Sequence, residues 1–171
     1  NRIGKGAFSL DGKSYTLACN NGENHRFYQN SELDERTLYE LYLTAFEISL
    51  QAKPWMVMCA YNKVNGVFAS ENKKLLKEIL RDKFGYDGVI VSDWEAVKNR
   101  AKALNATLDL EMPYNAYSYD ELKTAYENGF IADQEIDASV NRLLALAEKT
   151  CRVQKKVLYA RDQRHENALN I

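Results

Sequence analysis

Asp93 and its neighbours are the residues of this chain best placed to do chemistry. Val89-Ile90-Val91 is an unbroken run of β-branched residues, introduced by Tyr86-Asp87-Gly88 and ending in Ser92-Asp93-Trp94. A strand apolar at every position belongs to a sheet covered on both faces, and therefore to a parallel sheet. In parallel α/β folds the carboxyl ends of the strands carry the reactive groups. Asp93 stands where a catalytic carboxylate is expected, with Trp94 beside it as a face on which a sugar can stack. Glu111 ends another apolar stretch, 108–112, and is the best internal candidate for a second carboxylate. Asp109 and Glu111 alternate toward one side, however, so pairing with Lys or Arg is the plainer role for both.

Other chemistries find less support. The 2 histidines, His25 and His165, make a His-based zinc site or a Ser-His-Asp triad a poor fit. Cys19, Cys59 and Cys151 are far apart, odd in number and without metal spacing, so they read as free thiols with core roles. No metal site and no cofactor are expected.

The positioning elements follow from periodicity. Residues 31–51 read as a helix capped by Ser31, with Asp34 as an acidic N3 residue and Leu38, Leu41, Tyr42, Ala45 and Ile48 as its apolar stripe. Residues 55–61, after Pro54, read as a buried strand, and 62–66 as a loop. A helix from Ser70 turns Leu75, Leu76, Ile79 and Leu80 inward and stops at Gly85. After the strand 88–92 come a short helix over 94–104 and a strand over 108–112, ended by Pro113. Ser118 and Glu121 suggest a capping box for a helix stopping near Gly129. Asp133 caps the next helix, with Ile136, Val140, Leu143, Leu144 and Ala147 on one face. This alternation implies right-handed βαβ units around a parallel sheet. The first thirty residues differ: Asp11-Gly12 between two short β-prone segments reads as a hairpin turn.

The chain has 171 residues, enough for a core but short of the about 250 of a complete eight-stranded α/β barrel. Three convincing strands therefore point to part of a barrel or of a doubly wound sheet. A formal net charge of -1 removes the electrostatic case for nucleic acid or an anionic membrane as partner. No apolar run approaches the roughly 20 residues of a membrane span, and residues 1–6 lack the apolar region of a signal peptide. The expectation is a soluble chain whose compartment is left open.

From about Asn20 onward the chain resembles glycoside hydrolase family 3, the β-glucosidase and β-xylosidase group. The resemblance rests on Asp34-Glu35-Arg36-Thr37-Leu38, on Met58-Cys59-Ala60-Tyr61-Asn62-Lys63-Val64-Asn65-Gly66 and on Glu71-Asn72. It continues in Phe84-Gly85-Tyr86-Asp87-Gly88 up to Ser92-Asp93-Trp94, and in Leu108-Asp109-Leu110-Glu111-Met112-Pro113. It implies a partial (β/α)8 barrel and a glycosidase that hydrolyses terminal β-D-glycosyl residues with retention. It makes Asp93 the nucleophile, Tyr61 a neighbour able to hydrogen-bond it and hold its pKa low, and Met58 and Trp94 walls of the sugar site. Two departures accompany it. Tyr15-Thr16 stand where the family usually carries Lys-His, and the acid/base carboxylate, generally supplied by a later domain, has no recognisable counterpart.

The first 25 residues carry a second resemblance, to aldose 1-epimerases (mutarotases). Asn1-Arg2 match a sugar-contacting pair, and Asn20-Asn21-Gly22-Glu23-Asn24-His25 match a later stretch, but Arg26-Phe27 replace the segment with the catalytic His. The implied organisation is a hairpin segment over 1–25, a partial barrel over 26–150 and a helix or linker over 151–171. The alternatives to hydrolysis are an inactive carbohydrate-binding or structural remnant and an epimerase fragment. The partner expected is a β-glucoside or oligosaccharide. An open barrel, with edge strands and bare apolar faces, adds a homodimer or a complementary barrel fragment.

Overall fold

The computed structural model describes residues 7–10, 12–16 and 30–154. Strands β1 (Ala7–Leu10) and β2 (Lys13–Thr16) form the expected antiparallel hairpin, pairing Ala7 with Thr16 and Leu10 with Lys13. Asn1, Arg2, Cys19, the 20–25 stretch, His165 and the tail beyond 154 lie outside the described residues.

Strand β3 (Asn30–Ser31) leads into a helix, α1, built from Glu35–Thr37, Leu38–Leu43 and Thr44–Leu50 in unbroken succession. Asp34, rather than Ser31, caps it: its carboxylate accepts from Thr37 N at 2.9 Å and from Thr37 Oγ1 at 2.7 Å. Ser31 is instead paired with Val64 in a small sheet. The expected stripe also changes. Leu38 and Leu43 are buried, while Leu41, Tyr42 and Ile48 are exposed. The middle segment is wound as a π-helix, whose i→i+5 bonds set residues five apart above one another.

Strand β4 (Met56–Met58) is followed by a hairpin of β5 (Lys63–Val64) and β6 (Val67–Phe68), where a plain loop was expected. Asn65 and Gly66 hold φ of 50° and 83°, the doubly left-handed turn favoured in tight hairpins. Asn65 Oδ1 accepts from Leu33 N at 2.7 Å, which fastens the hairpin to the segment before α1.

After a 3-10 turn at Ala69–Glu71, α2 (Lys74–Lys83), wound as a π-helix throughout, still buries the predicted Leu76, Ile79 and Leu80. Gly85, at φ 68°, lets Tyr86 N return to Leu80 O and stops the helix. Strand β7 (Val89–Trp94) then lies between β4 and β8 (Leu110–Met112), all three parallel. Helix α3 (Arg100–Asn105) begins later than predicted, behind an irregular 95–99 segment. It is capped by Asn99, which accepts from Lys102 N at 2.7 Å. Helices α4 (Ala116–Glu127) and α5 (Asp133–Gln154) complete the described chain.

The capping box expected at Ser118 and Glu121 is not formed. Asn115 caps α4, and Ser118 Oγ donates to Glu111 at 3.0 Å. Glu121 reaches across to α3, accepting from Arg100 N at 2.7 Å and from the Asn99 amide. An acidic residue completes a helix N-terminus here, but that of the neighbouring helix. On α5, Val140 and Leu144 are exposed while Ser139 is buried.

The main core joins Leu76, Leu80, Ile90, Ala103, Ala106 and Leu108 with Cys59 and Tyr86. Val89 and Ile90 are both buried, so the reading of a doubly covered strand holds at the start of β7. Toward the carboxyl ends the sheet opens: Met58, Trp94 and Met112 are exposed. Asp109, only 3% exposed, ties the core to two helices. It accepts from Arg81 Nη2 of α2 at 2.8 Å, Arg142 Nη2 of α5 at 2.8 Å and Ile90 N at 2.9 Å.

Candidate active site

The site is assembled at the carboxyl end of β7. Met58, the last residue of β4, pairs with Val91, two residues before Asp93 on the neighbouring strand. Between the pairs Val91↔Leu110 and Trp94↔Met112, β7 has one residue more than β8. This bulge bends the strand end and re-aims its side chains, a device common beside active sites. Ser92 completes the interrupted ladder, its hydroxyl accepting from Met112 N at 2.8 Å and donating to Met112 O at 3.4 Å.

Asp93 is half-buried, and its Oδ1 accepts from Trp94 N at 2.7 Å. Trp94 is 56% exposed and Met58 59%, so both present apolar surface beside the carboxylate. Tyr61, from the segment after β4, donates its hydroxyl to the Trp94 carbonyl. The structure thus brings Asp93, Tyr61, Met58 and Trp94 to one end of the sheet, with Tyr61 joined to the backbone beside the carboxylate. The group can offer a carboxylate nucleophile next to apolar and aromatic surface.

Cys59 lies directly beneath. Its thiol is pushed up to about 11, chiefly by burial, with further repulsion from Asp93. The Asp93 backbone N–H pulls in the other direction through a hydrogen bond to the sulfur. Cys59 is therefore a buried free thiol, as its apolar setting suggested.

Glu111 is drawn into structural work: besides Ser118, it faces Arg100 Nε at 3.8 Å, with both side chains 12% exposed. Burial lowers the pKa of Arg100, and the Glu111 carboxylate opposes that shift. Among the described residues, no group of three or more His, Cys, Asp or Glu could hold a metal ion. An apolar cavity of about 210 Å³ lies between α1, α2 and β4; it reaches Met58 and Cys59 but not Asp93, Tyr61 or Trp94.

Sequence reasoning missed the residues that shape the strand end. Ser92 was noted only as part of a motif, and Glu71 without a role. Glu71 Oε1 accepts from Lys98 N at 3.0 Å and Asn99 N at 2.8 Å. Glu95 sits at φ 60°, which no local pattern announces. A polar Ser-Glu-Asn run before an apolar helix was the available signal.

Comparison with known proteins shows the family and the fold. Residues 18–146 match the family model described as glycosyl hydrolase family 3 N terminal domain. A thermostable β-glucosidase B of Acetivibrio thermocellus is 40% identical over 154 residues, covering 89% of this chain and 19% of the relative. An exo-α-(1→6)-L-arabinopyranosidase of Bifidobacterium longum is 40% identical over 135 residues, covering 78% and 18%. Among solved structures, a family 3 β-glucosidase of Bifidobacterium adolescentis superposes with a TM-score of 0.70 at 37% identity, over 76% of this chain and 19% of that one. A Kluyveromyces marxianus β-glucosidase in complex with glucose gives 0.71 at 34% identity, over 76% and 16%. The chain spans about a fifth of the length of such relatives. Its fold is mixed α/β with parallel strands, part of the barrel-type domain of those enzymes. With the matched span covering most of its length, the chain belongs to the glycosyl hydrolase family 3 N-terminal domain family.

Proposed function

We propose that this chain is the nucleophile-bearing part of a retaining β-glycosidase acting on terminal β-linked glucose or a close analogue. The observation that carries this is the position of Asp93, half-buried at the carboxyl end of the central parallel strand, with Trp94 beside it and Tyr61 bonded to the Trp94 carbonyl. In the first step an Asp93 carboxylate oxygen bonds to the anomeric carbon as the glycosidic C–O bond breaks. Trp94 and Met58 pack on the C–H surface of the sugar. Tyr61 fixes the Trp94 carbonyl and with it the strand end.

Retention needs a second carboxyl about 5–5.5 Å from the first, to protonate the leaving oxygen and then activate water. Glu111 is committed to Arg100 and Ser118, so that group is assigned to polypeptide beyond the described residues. The same reading takes residues 26–150 as the partial (β/α)8 barrel, 1–25 as a separate hairpin segment and 151–171 as a C-terminal helix or linker. A homodimer or a complementary barrel fragment covers the open sheet face.

An aryl glucoside with a dinitrophenolate leaving group departs without acid assistance. It is expected to release a stoichiometric burst of phenolate and leave one glycosyl unit on Asp93, seen by mass spectrometry. Asp93→Ala abolishes both; an equal burst from that variant removes Asp93 from the role. A second reading, a non-catalytic sugar-binding remnant, draws on the commitment of Glu111. Glucose binding by titration with no burst supports it. The mutarotase-like motif of residues 1–25, largely ahead of the matched family span, is taken as a segment of separate origin. Accelerated mutarotation of fresh α-glucose tests whether it keeps activity.

A further inference from the structure

The segment after Asp93 is irregular from Glu95 to Asn99, yet it sets where the strand end points. Ala96 N donates to Asp93 O at 3.2 Å and Glu95 N to Met112 O at 2.8 Å, so the turn begins at the carboxylate's own backbone. Glu95 has φ 60°, a left-handed conformation that a residue with a β-carbon adopts only when its surroundings impose it. The imposing contacts come from the 3-10 turn before α2. Ser70, 0% exposed, donates its hydroxyl to Ala96 O at 3.1 Å. Glu71 accepts from the consecutive N–H groups of Lys98 and Asn99 at 3.0 and 2.8 Å. Asn72 anchors this turn in place, accepting from Leu75 N at 3.0 Å and donating to Val64 O at 3.2 Å.

We propose that Glu71, with Ser70, is a positioning residue for Asp93 and Trp94: its carboxylate clamps the 95–99 segment and so holds the bulged end of β7 in its working orientation. The catalytic consequence rests on the reading of Asp93 as nucleophile; the geometric claim does not. A carboxylate that accepts two backbone N–H groups forms charge-assisted bonds, stronger than neutral ones. Its loss strands two donors and frees Glu95 to leave the left-handed region. Trp94, one residue before Glu95, and Asp93 then shift together, with Tyr61 attached to the Trp94 carbonyl as a partial restraint. Glutamine keeps an oxygen that can accept both bonds, so it is the conservative rescue.

The chain has two tryptophans, so Trp55→Phe leaves Trp94 as the sole indole reporter. In that background Glu71→Ala is expected to move the Trp94 indole cross-peak in the proton–nitrogen spectrum and raise its acrylamide quenching, with far-UV circular dichroism unchanged. Glu71→Gln is expected to stay close to the parent. A folded Glu71→Ala with unmoved Trp94 signals overturns the clamp, and so does a glutamine variant as displaced as the alanine one. Should Glu71→Ala not fold, Ser70→Ala carries the test: a smaller Trp94 shift supports the proposal and none refutes it. The dinitrophenyl glucoside burst separates the two readings. Where the parent shows a burst, Glu71→Ala slows it by about 10- to 100-fold, since misplacement of about 1 Å costs that order of rate. A parent with no burst, but with Trp94 displaced by Glu71→Ala, fails the nucleophile reading while the clamp stands.

Discussion

At the scale of single residues, the strand end shows how one motif divides its work. In Ser92-Asp93-Trp94 the carboxylate and the indole face outward as reactive and packing surface, while Ser92 turns inward and repairs the ladder at the bulge. Cys59, below them, offers a sharper measurable consequence. With its thiol raised from 9.0 to about 11, its thiolate fraction near pH 8 is about 100-fold below that of an ordinary cysteine. In a Cys19→Ser background, a disulfide reagent is expected to label exposed Cys151 quickly and Cys59 only as the protein unfolds. Equal labelling rates would contradict the burial. The sign of the pH effect follows from the same shift. The folded state holds the Cys59 proton more tightly than the unfolded state, so this contribution is complete below about pH 9 and lost as pH rises through about 11. Urea midpoints measured from pH 8 to 11 should therefore decline, with a flatter decline in Cys59→Ala. Tyr86, pushed up to about 12 chiefly by burial, adds its loss at still higher pH.

At the scale of elements, charge pairing in the core decides how the helices sit on the sheet. Asp109 holds α2 through Arg81 and α5 through Arg142, with side chains 0%, 10% and 19% exposed. Removing the central carboxylate leaves two cations in a poorly solvated site, which costs about 3–5 kcal/mol. Asp109→Asn is thus expected to lower the urea unfolding free energy by that order, and a change under about 1 kcal/mol would show that the pairs contribute little. This role was partly legible: the alternation of Asp109 and Glu111 pointed to basic partners, but which arginines, two helices away, was not local information. The helix ends divide in the same manner. Gly85 and its left-handed stop were readable because a missing β-carbon is a local property. Glu121 was misassigned, because the N-terminus it caps belongs to α3, whose approach to α4 only packing sets. The stripe of α1 failed because packing buries Leu38 and Leu43 and leaves Leu41, Tyr42 and Ile48 exposed, a choice made by the neighbouring elements.

At the scale of the whole molecule, several large apolar side chains among the described residues stand exposed. Leu41 is 73% exposed and Ile48 61% on α1, and Met58, Trp94 and Met112 line the open end of the sheet. Exposed apolar surface of this extent drives association. Leu41→Lys with Ile48→Lys is expected to reduce self-association in light scattering while changing stability by about 0.5 kcal/mol or less, because neither side chain is in the core. A monodisperse monomer that the charges leave unaltered would count against the open face as an adhesive surface. No helix among the described residues is long and apolar enough to cross a membrane. What the sequence determined by itself was the three parallel strands of the central sheet, the helix stops at glycine and the address of Asp93, because apolar runs, backbone freedom and motif order are all written within a few residues. Only the tertiary structure decided that a bulge and Ser92 aim the strand end, that Glu71 clamps the turn behind it, and that Glu111 serves Arg100 and Ser118 rather than standing free. Those outcomes depend on which backbone groups distant segments leave unpaired, a quantity that exists only once the chain has packed.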